Sequence, residues 1–461
     1  MRKRAERQLP LDFAGTQKLT QDWYSLYKDI HEILEQNPAV TDLVHGDLTR
    51  GQPKLKRNVE GVASESILRL ALVQQIEQLS FRATIIRVDD SQMLRFFCRF
   101  YDDPILSHGK YADLVNLIQP ETWKKINDLI VRFARDKKGF KGKKLRIDTT
   151  AVESDIHFPM DSSLLLDGVR VLSRLIGKIR TIDAGIVGTW RGRVRNAKRL
   201  NQKLLRGGKK MHTATRKKLY RHLIKATERA MMKSREIIES VKKGEFQIVS
   251  IEQSILLQSL SQELTHYLPL VDKCVYQARE RIVNDQQVPN DKKLFSIFEP
   301  HTELLIRGKA GKDIEFGHMI EINQIDGGLI THYATHAKRP SEPPLLEKAV
   351  ERSASLFGQV PKVSAGDKGF YSKDTVNKLE EMGVEHICVP KKGRRNADEE
   401  KREHSYWFKA AQAFRAGIEG TVSVLKRAFG LWRCLREGFK RFESWVATGV
   451  LAHNLVLLTR R

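Results

Sequence analysis

The stretch Lys144-Leu145-Arg146-Ile147-Asp148-Thr149-Thr150-Ala151-Val152-Glu153 reads as a buried β-strand with a carboxylate at its centre. Its apolar and β-branched residues suit an enclosed, pleated position. An ionised Asp148 there is costly unless a cation or a set of donors compensates it. Two partners stand far downstream: Asp367, in Ser364-Ala365-Gly366-Asp367-Lys368-Gly369-Phe370-Tyr371, and Glu419, on a helix that also carries Arg415 and Lys426. Three acids so disposed are expected to share metal ions.

Upstream of that strand, residues 1–140 read as helical. Trp23, Tyr24, Leu26, Tyr27, Ile30, Ile33 and Leu34 recur at helical spacing. The pattern predicts further helices over 64–79, 92–100 and 121–135. Such a region reads DNA in many proteins through a helix-turn-helix, though plain helical bundles share the pattern.

Downstream, a long helical block is predicted over 162–288. Leu165, Val169, Leu172, Ile176 and Ile179 form one stripe, while Arg170, Arg174 and Lys178 occupy another face. Glycines at 185, 188, 207 and 208 break the block, and a pair of less basic helices is predicted over 246–264 and 268–283. The basic helices are expected to face DNA; a coiled arm for dimerisation is the rival reading.

The pattern then turns to period two. Residues 317–324 and 329–335 flank Asp326-Gly327-Gly328, a hairpin signal. A helix over 344–357 leads to a strand ending at Asp367, a helix capped by Ser372, and a strand over 385–390. This succession implies a parallel pair, with Asp367 at the carboxyl end of its strand, where open sheets carry their chemistry. Residues 391–402 read as a charged, mobile loop, and helices over 408–429 and 442–458 close the chain.

Composition narrows the class. The 461 residues exceed what one core usually supports. Lys and Arg number 81 against 56 acids, a net charge of +25 that points to a polyanionic partner. From Arg170 to Arg235 there are 21 basic residues and two acids, Asp183 and Glu228, so this segment holds most of the excess. A solvated face would mix the signs. The four cysteines form no C-x-x-C pair, which argues against a disulfide scaffold and a zinc site. His332 and His336 sit in or just after a predicted strand and share no helical face for zinc. There is no phosphate-binding G-x-x-x-x-G-K-[ST] run, the charged start Met1-Arg2-Lys3-Arg4-Ala5-Glu6-Arg7 is not a secretory signal, and no apolar run approaches the roughly 20 residues that span a bilayer. A cytoplasmic location is expected. Trp190, Trp407, Trp432 and Trp445 suit either base stacking or, more commonly, core packing.

Phosphodiester chemistry needs an activated oxygen, neutralised charge at phosphorus and a stabilised leaving oxygen, and two magnesium ions held by carboxylates supply all three. Arg415, Glu419, Val422 and Lys426 fall on one helical face, so a carboxylate lies between two cations; an exposed i, i+4 ion pair is the ordinary alternative.

These motifs resemble the DDE transposases of bacterial insertion sequences, which have a ribonuclease-H-like core. Arg-Ile-Asp148-Thr-Thr resembles the segment of the first acid, and Gly366-Asp367-Lys368-Gly369-Phe370-Tyr371 that of the second. Phe414-Arg415-Ala416-Gly417-Ile418-Glu419-Gly420 through Lys426 resembles the R-(3)-E-(6)-K part of the Y-(2)-R-(3)-E-(6)-K signature of one branch, with Gln412 where that branch has tyrosine. The acids are 367 − 148 = 219 and 419 − 367 = 52 residues apart, so an insertion must lie between the first two, where the basic block falls.

The resemblance implies an α/β, ribonuclease-H-like mixed sheet with an all-helical N-terminal DNA-binding region (1–140), a first core part (141–161), a basic helical insertion (162–290), and the remaining core with C-terminal helices (291–461). It implies Asp148, Asp367 and Glu419 as catalytic metal ligands for two Mg2+ ions, with Mn2+ as a substitute. Arg415, Lys426, Lys368, Arg191, Arg193 and Arg195 become the expected DNA contacts. The expected activity is cleavage of transposon ends and 3′-OH strand transfer into target DNA, by a homodimer on double-stranded DNA at the bacterial nucleoid. A ribonuclease-H-like nuclease without strand transfer, or an inactive DNA-binding protein, is the alternative.

Overall fold

The computed structural model describes residues 17–50, 61–247, 250–309 and 312–460. The charged start read above, residues 1–7, lies outside them. The chain forms two compact units, one of Met1–Asp155 with Gly317–Arg461, the other Ile156–Phe316.

The first unit is α/β. Its sheet contains β1 (Lys144–Glu153), β3 (Lys312–Ile325), β4 (Ile330–His336), β5 (Val363–Ala365) and β6 (His386–Cys388), and β2 (Glu303–Lys309) precedes β3 in the chain. Within this unit the strand order is β3-β1-β5-β6, with β4 also on β3. β1 runs antiparallel to β3 and parallel to β5, and β5 is parallel to β6. The strand bearing Asp148 is therefore the junction between the antiparallel and parallel sides.

Local chemistry accounts for these connections. β3 and β4 form the expected hairpin, and Gly327 and Gly328 supply φ of 87° and 89°, values that favour glycine. Between β5 and β6 runs the helix Lys373–Glu381, whose Ser372 side chain accepts from Thr375 N. Gly317 marks where β3 meets the end of β1: a Cβ there would lie 2.0 Å from Val152 O.

The N-terminal helices belong to this same unit rather than standing apart. Tyr27, Ile30, Leu70 and Trp123 share one buried core with Leu145, Ile147, Ile322 and the C-terminal helix residues Val450 and Leu455. Beside the expected helices, Pro38–Thr49, Phe81–Asp89 and His108–Val115 are present, the last two capped by Ser80 and Ser107.

The second unit has its own core, built by Asp161–Ile182, Val194–Gly207, Thr213–Lys242 and Ile251–Ala278. Leu165, Val169, Leu172, Ile176 and Ile179 are all buried, while Arg170, Arg174 and Lys178 are exposed. The pair of helices expected over 246–283 is instead one helix that continues through Pro269 and ends in the π-turn Arg279–Val283. A stripe of Leu257, Leu260, Leu264, Val271 and Cys274 is buried on both sides of the proline. That burial outweighs the roughly 3 kcal/mol a mid-helix proline costs.

The loop expected over 391–402 is corrected as well, because Ala397–His404 is a helix. Asn396 and Glu399 form a reciprocal capping box, acids fill its first turn, and Lys401, Arg402 and His404 its last, which suits the helix dipole.

Among the described residues no helix is long and apolar enough to cross a membrane.

Candidate active site

β1 and β5 bring the two aspartates into matching places. Arg146 is the register partner of Ala365, and Asp148 and Asp367 each lie two residues further on. Alternation along a strand sends residues i and i+2 to the same face. Asp367 keeps an extended backbone (φ −77°, ψ 176°) past the end of the ladder. Its Oδ1 accepts from Gly369 N at 2.7 Å, capping the turn Lys368–Phe370, which the buried Phe370 ring anchors in the core. Asp148 is half-buried, and its Oδ1 accepts from Thr149 N at 2.8 Å.

The third acid arrives on the helix Tyr406–Ala428, started by Ser405, whose hydroxyl accepts from Phe408 N. Arg146 docks this helix on the sheet. Its Nε donates to Gln324 Oε1 at 2.8 Å, its Nη1 donates to Phe414 O, and its guanidinium lies 4.8 Å from the Phe414 ring centroid. Gln324 in turn donates to Thr421 Oγ1 at 2.8 Å. Burial pulls the Arg146 pKa below the usual arginine value. A charge held in this way fixes the helix at the level of β1.

The docking sets the position of Arg415, whose guanidinium connects two of the acids. Its Nη2 lies 3.8 Å from Asp148 Oδ2, and its Nη1 donates to Glu419 Oε1 at 3.1 Å. The Glu419 side chain is 64 % exposed against 23 % for Arg415, so the glutamate faces solvent from the rim. Arg415 Nε is buried without a hydrogen bond.

The remaining expected residues are dispersed. Lys368 is exposed on the turn after Asp367. Lys426 is half-buried, with Nζ 5.4 Å from the centroid of the Trp432 ring. Gln412, in the place of the signature tyrosine, is exposed. Arg191, Arg193 and Arg195 are exposed in the second unit, Arg193 directly before the helix Val194–Gly207. Of the four tryptophans singled out from the sequence, Trp445 is core, Trp190 is half-buried and Trp407 stacks on His386, whereas Trp432 is 54 % exposed.

Residues 323–455 match the family model of the transposase DDE domain. The match supports a DDE transposase. The matched stretch includes two of the three acids, Asp367 and Glu419, together with Arg415 and Lys426; Asp148 lies outside it. No curated protein and no solved structure matches the chain.

The three acids expected from the sequence, Asp148, Asp367 and Glu419, offer carboxylate oxygens alone, a donor type that suits a hard divalent cation. Among the described residues no group of three or more His, Cys, Asp or Glu is gathered closely enough to hold an ion. Arg415 is the cation between Asp148 and Glu419 here. Leaving its Nε buried without a partner costs about 1–3 kcal/mol.

Three contributors escaped the sequence reading. Arg146 looked like an ordinary strand residue, and its role as helix anchor depends on a partner 268 residues away. Gly417 permits the approach of the helix to Arg146. Glu342, before the helix Pro343–Phe357, accepts from Thr149 Oγ1 at 3.1 Å and stands against Gly369.

Proposed function

We propose that this chain is a DNA transposase that cleaves the ends of a mobile element and joins the freed 3′-hydroxyl to target DNA. The observation that carries the reading is the register of β1 and β5: two residues beyond the Arg146–Ala365 pair stand Asp148 on β1 and Asp367 just past the end of β5, with Glu419 tied to Asp148 through Arg415. The central place of Asp148 in a mixed sheet is the support for a ribonuclease-H-like core.

Asp148, Asp367 and Glu419 would hold magnesium or manganese. Such ions supply a nucleophilic oxygen at neutral pH and neutralise charge on the leaving oxygen. The chain itself supplies placement. Asp148 is fixed by its own strand, Asp367 by the capped turn, and Glu419 by the helix that Arg146 anchors. Arg415, with donors on both sides of its guanidinium, is the group suited to orient the scissile phosphate. Lys368 and Lys426 add positive charge on either flank.

DNA is the polyanion that the basic excess anticipates. In the second unit, Arg195, Lys198, Arg199, Lys203 and Arg206 are exposed on Val194–Gly207, a helix without an acidic residue. We assign to it phosphate contacts that carry no sequence preference. Two element ends of the same sequence call for a two-fold pair of chains.

The decisive experiment incubates the full chain with end-labelled DNA from the borders of its own element, a target plasmid and Mg2+. Joined product, lost in Asp367→Asn, establishes strand transfer. Hydrolysis without joining would instead mark a nuclease, and DNA binding unaffected by Asp367→Asn, with no metal-dependent nicking, an inactive binding protein.

A further inference from the structure

Glu342 is a further carboxylate, set against the residues that hold Asp148 and Asp367, and it belongs to none of the motifs that identified the three acids. It directly precedes the helix Pro343–Phe357, which packs against β1 and against the turn Lys368–Phe370. Leu346 and Val350 of that helix are buried in the same core as Leu145 and Ile147. Each oxygen of the Glu342 carboxylate meets a different arm of the site. Oε1 accepts from Thr149 Oγ1 at 3.1 Å, and the backbone N–H of that same Thr149 donates to Asp148. Oε2 stands over Gly369, where a Cβ would be 1.9 Å from it and 2.9 Å from Asp367 Oδ1; the N–H of Gly369 donates to Asp367. One side chain therefore touches both residues whose amides orient the aspartates. Among the described residues its carboxylate accepts from a neutral hydroxyl and forms no ion pair, so packing and hydrogen bonding account for its place.

We infer that Glu342 is a positioning residue: it sets the interval between Asp148 and Asp367 by holding Thr149 on one side and filling the space above Gly369 on the other. This rests on the proposed reading of those aspartates as metal ligands. Gly369 is part of the device, because any side chain there would drive the Glu342 carboxylate out. The role is steric and hydrogen-bonding, so glutamine, with the same shape and an acceptor oxygen, preserves it.

The test measures two quantities on the full chain: Mn2+ affinity, by titrating free Mn2+ with electron paramagnetic resonance, and single-turnover cleavage of labelled end DNA. Glu342→Ala is expected to weaken Mn2+ binding and slow cleavage, each by about 10–100-fold, the range for groups that orient metal ligands. Glu342→Gln is expected to stay within about threefold of wild type. Gly369→Ala is expected to resemble Glu342→Ala, and the double variant to be no worse than either, because both changes remove the same interaction. If Glu342→Ala does not fold, Gly369→Ala and Glu342→Gln decide alone. Wild-type behaviour of Glu342→Ala or Gly369→Ala, or a Glu342→Gln as impaired as the alanine, overturns the inference. Asp148→Asn separates the two levels. If it too binds Mn2+ and cleaves normally, the reading of the site has failed; if it is inactive while Glu342→Ala is normal, only the role of Glu342 falls.

Discussion

Gly417 lies directly against the guanidinium of Arg146, so closely that a Cβ on it would come 2.3 Å from Nη1. Arg146 cannot easily yield, since Gln324 and the Phe414 carbonyl hold it from two sides. The helix bearing Arg415 and Glu419 thus reaches the sheet only because this position has no side chain. Gly417→Val should lift the helix from β1 and cost about 1–3 kcal/mol, as overpacking does. Thermal unfolding gives the stability, and cleavage should fall further than stability predicts, because Glu419 and Asp148 separate.

Gly317 poses a stricter demand, since a Cβ there would meet Val152 O at 2.0 Å and Glu153 Cα at 2.7 Å. Backbone cannot swing aside as a side chain can. Gly317→Ala should destabilise the first unit by about 3 kcal/mol or more. Denaturant titration would show a lowered midpoint; an unchanged midpoint would contradict this close approach.

The bridge from Asp148 through Arg415 to Glu419 needs two nitrogens of one planar group. Arg415→Lys offers a single point charge and should not span both acids. A loss of about 10-fold or more in cleavage is expected, with DNA affinity largely kept. Asp148→Asn, Asp367→Asn and Glu419→Gln should each lose more than about 100-fold, beyond the range for groups that merely orient ligands.

Three histidines should make the fold acid-sensitive. Burial, as the leading cause, lowers His31, His332 and His453 from the usual 6.5 to about 4. Between pH 6.5 and about 4 the unfolded chain binds protons that the folded chain refuses, so stability falls as pH falls through this window and levels below it. For His453, 8 % exposed, the effect is on the order of a few kcal/mol. Replacing His453 with a neutral isostere such as Gln should flatten part of the pH dependence of the unfolding midpoint.

Arg191 and Arg193 are exposed just before a helix without acids, and Arg195 is exposed on it. Changing all three to Ala should weaken binding to unrelated DNA sequences alike. The slope of log affinity against log salt should drop by up to about 3, near 0.9 for each phosphate that is no longer neutralised. Weakening confined to one sequence would point to base reading instead.

Much of the molecule is legible in short windows of the sequence. The hairpin at Asp326-Gly327-Gly328, the Ser372 cap and the apolar stripe from Leu165 to Ile179 are written within a few residues of where they act, and the structure reproduces them. The Asn396–Glu399 capping box is equally local, though the charge of its neighbours disguises it as a loop. Pro269 misleads because local propensity yields to a buried stripe continuing past it.

By itself the sequence determined the strand around Asp148, the order of the three acids and the basic block between the first two, because period, turn chemistry and charge are local properties. Only the tertiary structure decided that β1 and β5 pair so that Asp148 and Asp367 follow the same rung of the ladder, that the N-terminal helices close on the same core as the sheet, and that Arg146, Gly417 and Glu342 hold the segments that bear the acids. Those relationships link residues hundreds of positions apart. They arise from which strand pairs with which, and from how nearly a helix can approach a sheet, neither of which any short window of the chain encodes.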